Sequence, residues 1–468
     1  MNELSKPKLH WQQRSWTWLL QKVLLPAGDI AFGQKMQRRL DFLEVAQWWD
    51  RERIIAYRNE QLQKLIRISY QEVPFYRELL DQHGVKPQEI RCAADLQRIP
   101  IIQKAMLREG YPDRTTRATG LKTFEWATSG STGLNLRVRL DCETTGWFRA
   151  SFMLALRWAG WAEGEPHLQT GMTLKRNLER KLKDALMGCR YVSAFDLTDE
   201  HLDHALDLME RHRIYHLWGY PGSLYCIARR ARERGWNVPL RSVVTWGDTL
   251  YPQYRQVLQE TFGTFVTDTY GCSEGMHIAA QCGTGTHYHL HALDVIVEYL
   301  DEAGDPVPPR TPGSLVITRL HPGPMPLIRY RIGDVGMSGG DRICGCGRGY
   351  EVMERIEGRD TDIIVTPSGN RLIVHFFTGL IEHFHDVDTF QVVQETTDTM
   401  VVRLVPRQQF DPSTPERIVQ TLKQHGAADM QIETELVDEI PVSPSGKRRF
   451  VFSKVARTAS EAPVSAER

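Results

Sequence analysis

The chain has 468 residues, of which 41% are hydrophobic and 25% charged, with Lys plus Arg and Asp plus Glu both at 58. At roughly 150 residues per domain, that length predicts two unequal domains rather than one compact core. A formal charge of zero excludes a global field for capturing nucleic acid or an anionic membrane, and no apolar run approaches the ~20 residues of a helical membrane span. Eight cysteines are scattered through the chain rather than packed into a small disulfide framework, which predicts a reducing, cytoplasmic setting.

The stretch from His10 to Pro26 mixes Trp and Leu with charge and lacks the sections of a secretory signal. It predicts an amphipathic helix that stops at Pro26 and packs on its own domain. Leu40, Leu43, Trp48, Ile54, Tyr57, Leu62, Leu65 and Ile66 recur mostly three or four apart, so residues 1–100 are expected to be mainly helical. Beyond Pro100, helical patterns at 143–158, 199–213, 223–234 and 252–261 alternate with short apolar runs such as His216–Trp218 and Ser242–Trp246. That alternation predicts an α/β fold with a mainly parallel sheet.

From about residue 293 the pattern becomes strand-dominated, with Val295–Leu300 and Ser314–Thr318 around a Gly/Asp/Pro turn, which predicts an antiparallel section or small barrel. After about residue 361 come strands at Phe390–Val393 and Met400–Val405, a helix at 414–425 and a strand near 431–437, enough for a small α+β domain. The expected division is therefore an α/β domain over 1–360, an α+β domain over 361–457 and a disordered tail over 458–468.

Five segments are candidates for chemistry. Thr128, Ser129, Gly130, Ser131, Thr132 and Gly133 form a hydroxyl-rich loop whose glycines let backbone N–H groups converge on an anion, though such a loop is also an ordinary hairpin turn. In Asp268-Thr-Tyr-Gly-Cys-Ser-Glu-Gly275, Tyr270 offers a flat face for a base and Glu274 a carboxylate for a metal ion on phosphates. Asp334, in Leu327-Ile-Arg-Tyr-Arg-Ile-Gly-Asp334, is suited to accept from two ribose hydroxyls or simply to close a turn. Glu354 to Val365 is a charged junction, and Val442-Ser-Pro-Ser-Gly-Lys447 delivers a lysine that is otherwise a solvated charge.

The order and spacing of these five motifs resemble the acyl-adenylate-forming superfamily of acyl-CoA synthetases, peptide-synthetase adenylation domains and luciferases. Val73-Pro-Phe-Tyr76, Tyr220-Pro221 and Pro326-Leu-Ile-Arg-Tyr-Arg331 look most like phenylacetate-CoA ligases and their capsule-biosynthesis homologues, over roughly residues 45–450. The resemblance implies ATP and Mg2+ as cofactors and a mobile C-terminal lid. It implies that Thr128–Gly133 wraps the phosphates with Thr132 among the catalytic groups, and that Tyr270, Gly271 and Ser273 form the adenine segment. Gly247 and Asp248 would approach the adenine, Asp334 would take the ribose, Glu274 would bind Mg2+ and Arg359 would meet the nucleotide near the hinge. Lys447 resembles the lysine bridging the carboxylate and the α-phosphate, where a fixed ammonium lowers the cost of bringing two anions together.

The position that usually holds the hinge Asp or Lys is Thr361, between Asp360 and Asp362. The expected function is thus activation of a carboxylic acid as acyl-AMP followed by transfer to CoA. Two rivals stand beside it: transfer to an amine, hydroxyl or carrier in polysaccharide or natural-product biosynthesis, and a zinc-braced nucleotide-binding scaffold without catalysis. Trp218–Pro221 and Thr245–Trp246 suit an aromatic acid, and a homodimer is allowed.

Cys344-Gly-Cys346 downstream of Cys282-Gly-Thr-Gly-Thr-His-Tyr-His-Leu-His291 is a second signal. Two thiols flanking a glycine form a tight clip, and one more Cys with one His completes a closed tetrahedral zinc set of structural type. The resemblance to some phenylacetate-CoA ligase homologues favours Cys282, His289, Cys344 and Cys346, and His287 and His291 remain alternatives on the same strand face. Cys272 has no suitably placed His and reads as a packed small residue.

Overall fold

The computed structural model describes residues 11–33, 35–127, 136–172, 176–248, 250, 252–301, 303–356, 364–372, 374–381, 383–440 and 451–455. The phosphate-loop candidates Thr128, Ser129, Gly130, Ser131, Thr132 and Gly133, together with Arg359, Thr361, Lys447 and the tail 458–468, lie outside the described residues.

The amino-terminal helix does not stop at Pro26. Helix α1 (Trp11–Leu19) runs through a π turn at Leu20–Leu24 into α2 (Leu25–Phe32), which ends at Gly33 with φ +64°. Pro26 falls in the first turn of α2, directly after the π turn, where its fixed φ suits a helix. The segment packs on the chain itself. Leu20 is buried, the Trp16 indole donates to the Leu186 carbonyl at 3.1 Å and Gln21 donates to Glu163 at 2.8 Å.

Three helices follow: α3 (Met36–Ala46), α4 (Arg51–Glu72) and α5 (Pro74–Gln82), then the short α6 (Lys104–Glu109). Asp50 caps α4 by accepting from the Arg53 amide at 2.7 Å, and the predicted apolar stripe buries Leu62, Leu65 and Ile66 completely. Strands β1 (Thr123–Ala127) and β2 (Arg137–Asp141) form an antiparallel hairpin that flanks the Thr128–Gly133 loop. Asp141 then caps α7 (Cys142–Trp158) through the Thr144 amide.

The alternating region is built from β3 (His167–Gly171), α8 (Leu178–Met187), β4 (Cys189–Ser193), α9 (Asp199–Arg211), β5 (His216–Gly219), α10 (Pro221–Glu233), β6 (Ser242–Thr245), α11 (Pro252–Phe262) and β7 (Val266–Cys272). The strands pair in parallel in the order β4-β3-β5-β6-β7. At β8 (Met276–Gln281) the chain reverses, and β9 (Tyr288–Leu290), β10 (Val295–Leu300), β11 (Pro312–Arg319), β12 (Tyr330–Ser338) and β13 (Val352–Ile356) continue antiparallel. The antiparallel strands, for which a small barrel was one expected form, lie in one row with the parallel ones. Eleven strands run in the order β10-β11-β12-β13-β9-β8-β7-β6-β5-β3-β4.

The carboxyl-terminal segment comprises β14 (Ile364–Val365), β15 (Arg371–Leu372), α12 (Val374–Ile381), β16 (Val387–Gln394), β17 (Thr399–Pro406), α13 (Thr414–Leu422), β18 (Gln431–Leu436) and β19 (Val451–Ser453). Its four-stranded sheet, β18-β17-β16-β19, encloses its own apolar core. Ala194 and Phe195, just after β4, enter that core, with the Phe195 and Phe376 rings 6.1 Å apart.

Arg329 fastens the helical region to the large sheet. It is 4% exposed, and its guanidinium donates to Glu298 at 3.0 Å and to the Ile99 carbonyl at 2.5 Å. Its own carbonyl accepts from the Ile102 amide at 2.9 Å, so residues 99–102 lie along the start of β12. Replacing it by an apolar side chain strands the buried Glu298 carboxylate. Arg329→Met is expected to lose about 3–5 kcal/mol in urea denaturation, and a loss below ~1 kcal/mol would show that the tie is dispensable.

Candidate functional site

The carboxyl ends of β5, β6 and β7 open on one edge, the place where parallel α/β sheets bind ligands. Tight turns leave each of them. After β6 comes Trp246-Gly247-Asp248, and a side-chain carbon on Gly247, whose φ is +79°, would stand 2.6 Å from the Tyr220 ring. Glycine is therefore required for this turn to cross Tyr220, which itself follows β5.

Below that edge, Asp268 on β7 accepts from the Thr245 hydroxyl at 2.5 Å and from the Tyr288 hydroxyl. Burial pushes its pKa up to about 6 against those donors. The knot stitches β6, β7 and β9 together directly beneath the next residues of β7.

Tyr270 lies near the end of that strand, and its hydroxyl donates to the Asp334 carboxylate at 2.7 Å. The two residues come from strands four places apart in the sheet order, so the contact joins the second and third motifs. Gly271, still on β7, and Ser273, on the turn after it, are exposed, while Glu274 is buried. The Glu274 carboxylate accepts from the Tyr330 hydroxyl at 2.8 Å, and its carbonyl accepts from Arg319 at 3.3 Å. A carboxylate has lone pairs to spare beyond one hydroxyl, so this arrangement fits a metal ligand that is already oriented.

Gly275 closes the turn with φ +83°. A Cβ there would meet Leu140 at 3.1 Å and the Trp126 ring at 3.7 Å. The β1–β2 hairpin, whose connection is the Thr128–Gly133 loop, therefore rests on the residue after Glu274. Cys272 is packed in the same turn. Burial and the neighbouring Glu274 carboxylate push its thiol well above the ordinary value, which suits a packed thiol and not a nucleophile.

A second cluster lies along β8, β9 and the β12–β13 connection. Ligand atoms of Cys282, His289, Cys344 and Cys346 all lie within 4.8 Å of one another. Cys282 Sγ and Cys344 Sγ are 3.6 Å apart, and Cys346 Sγ lies 3.3 Å from His289 Nε2. Sulfurs bound at ~2.3 Å to one tetrahedral ion stand about 3.8 Å apart, so the spacing fits a shared metal. Burial raises Cys282 to about 11. Burial acts the same way on Cys344, but donors from Thr284, the Cys346 amide and His287 outweigh it and bring its pKa down to about 5. His287 Nε2 lies 3.0 Å from Cys344 Sγ, beside the group of four. His291 turns elsewhere, stacked 5.5 Å from Trp158.

Tyr330 and Arg319 were missed as site residues. Tyr330 was legible as a neighbour of Asp334 in one motif, whereas Arg319 reaches the site only through its bond to the Glu274 carbonyl.

Residues 186–323 match the family described as AMP-binding enzyme, and residues 364–454 match the CapK C-terminal domain. A phenylacetate-coenzyme A ligase of Thermus thermophilus is 28% identical over 331 residues, 67% of this chain and 72% of that protein. Protein CapK of Staphylococcus aureus is 20% identical over 411 residues, 86% of this chain and 90% of that one. Among solved structures, a 2-hydroxyisobutyryl-CoA ligase in the postadenylation state superposes with a TM-score of 0.55 at 17% identity, covering 85% of this chain and 88% of that one. That likeness shows the fold: an α/β body followed by a smaller carboxyl-terminal unit.

Proposed function

The chain belongs to the acyl-adenylate-forming enzymes, on the branch of phenylacetate-CoA ligases and CapK, and from that premise we propose that it activates a carboxylic acid with ATP and passes the acyl group to CoA. The observation that carries the reading is the Tyr270–Asp334 bond at the carboxyl edge of the parallel strands. It sets a flat ring and a carboxylate side by side, as a base and its ribose require.

In the first step an oxygen of the acid forms a bond to the α-phosphorus, and pyrophosphate leaves with the electron pair of the broken bond. Tyr270 with Gly271 and Ser273 takes the adenine, and Gly247 and Asp248 border it. Asp334 takes the ribose hydroxyls, and Arg359 meets the nucleotide near the junction. The Thr128–Gly133 loop, Thr132 included, holds the departing phosphates, which suits the seat of its hairpin against Gly275. Glu274 would hold Mg2+, which neutralises phosphate charge when bound. Lys447 bridges the two anions as they meet.

In the second step a thiol sulfur bonds to the acyl carbon, its proton goes to solvent, and AMP leaves. The relatives named for CoA ligation weigh for CoA over an amine, hydroxyl or carrier acceptor. Residues 361–457 are proposed to act as the lid that brings and withdraws Lys447, a reading supported by their separate four-stranded sheet. Cytoplasmic supply of ATP and CoA suits this chemistry, and no helix among the described residues is long and apolar enough to cross a membrane.

Cys282, His289, Cys344 and Cys346 are proposed to hold zinc. Four protein donors leave no open position for water, so the ion braces rather than reacts. It would fasten β8 and β9 to the β12–β13 connection, and through β8 the turn that carries Glu274.

Two measurements test these assignments. Lys447→Ala is expected to slow acid-dependent pyrophosphate release by about 10²-fold or more while ATP affinity stays within a factor of a few; an unchanged rate removes Lys447 from the step. Cys344→Ser is expected to reduce the zinc content found by elemental analysis and to lower Tm by more than about 4 °C. Wild-type protein that carries no zinc would end the metal assignment.

A further inference from the structure

Beside the Tyr270-Gly271 turn lies a buried imidazole that the fold leaves unsatisfied. His277, on β8, is the cross-strand partner of Gly271, and a side-chain carbon on that glycine would meet the imidazole Cδ2 at 3.7 Å. The residue is 3% exposed, yet neither of its ring nitrogens has a hydrogen-bond partner among the described residues. Burying a polar group without a partner is unfavourable, so such a group beside a candidate site calls for an explanation.

The surroundings are aromatic. Phe152 and Phe148, both on α7, lie 5.2 Å and 6.4 Å from the imidazole between ring centroids. Trp246, the residue before Gly247-Asp248, lies 5.6 Å from Phe152. His291 is likewise buried with both nitrogens unpartnered, and its ring lies 4.9 Å from that of His277. The His277 ring thus stands between the two segments assigned to the adenine, inside a frame of flat rings.

Burial pushes the His277 pKa down to about 3, so the ring is neutral, with one N–H to donate and one nitrogen to accept. A second carboxylate would bring a charge into this apolar frame against an uncharged partner. An unsubstituted aryl or alkyl group would leave the imidazole as bare as before. A hydroxyl can donate to the bare ring nitrogen or accept from the ring N–H, and it meets the imidazole without adding charge.

We propose that His277 lines the acyl pocket and reads a hydroxyl on an aromatic acid, so that the substrate class is a hydroxyaryl carboxylic acid. This inference rests on the adenylation reading and adds the substrate class to it. His277 acts here in specificity: it takes no proton from the reacting carboxylate and forms no bond to it.

The test follows acid-dependent pyrophosphate release by the full chain with matched pairs: 4-hydroxyphenylacetate against phenylacetate, 4-hydroxybenzoate and 3-hydroxybenzoate against benzoate, and 3-hydroxypropanoate against propanoate. The wild-type enzyme is expected to favour a hydroxyaryl acid over its unsubstituted partner by about tenfold or more in kcat/KM, because a site built for a hydroxyl rejects the analogue that lacks it. His277→Leu is expected to bring that ratio close to one with the KM for ATP unchanged, and His277→Gln, which can still donate and accept, to keep part of it. If the leucine variant does not fold, the glutamine variant carries the test and must alter the ratio. An equal or reversed preference in the wild type, a preference for the aliphatic pair, or a ratio that neither variant changes overturns the inference while leaving adenylation standing. Release with no acid of the panel overturns the adenylation reading and this inference with it.

Discussion

The large sheet changes direction between β7 and β8, and nearly everything else in the candidate site hangs on that reversal. Up to β7 the strands run parallel, so their carboxyl ends open on one edge. The turn at Ser273–Gly275 sends β8 back antiparallel along β7. One short stretch therefore carries Tyr270 near the end of the last parallel strand, Glu274 in the turn, His277 on the returning strand and Cys282 just past its end. A single change of strand polarity thus brings the candidate nucleotide, metal and acyl residues into one short stretch.

Buried polar groups hold the reversal in position. Asp268 anchors β7 through Thr245 and Tyr288, Glu274 is oriented by Tyr330 and Arg319, and Tyr270 reaches Asp334 across the sheet. Each of these contacts fixes a side-chain direction at the cost of burying polar atoms, and each is satisfied by a partner from another strand. The cysteine and histidine cluster extends the same bracing to the far end of β8. His277 is an exception, a buried ring in the same stretch whose nitrogens have no hydrogen-bond partner among the described residues, as is His291 beside it.

Much of this was legible in the residues. The apolar stripe of α4 and the runs of β5, β6, β10 and β11 gave their elements because periodicity and burial agree there. Strands β3 and β4 were not foreseen: His167-Leu-Gln-Thr-Gly171 and Cys189-Arg-Tyr-Val-Ser193 hold too few apolar residues to signal a strand, and their neighbours in the sheet decide the matter. Pro26 misled because proline breaks a helix interior and yet suits a helix start. Among site residues, Tyr270, Asp334 and the metal-type cluster followed from motifs in order and from donor spacing. His277 and Arg319 did not, because their importance lies in what packs around them rather than in their sequence neighbours.

The central claim is that a carboxylate oxygen attacks the α-phosphorus of ATP. Turnover of an acid labelled with 18O in both carboxylate oxygens, with the products examined by mass spectrometry, tests it most directly. The account predicts one 18O in the AMP released with the thioester and none in the pyrophosphate. Unlabelled AMP, or label carried instead into inorganic phosphate alongside ADP, would contradict it.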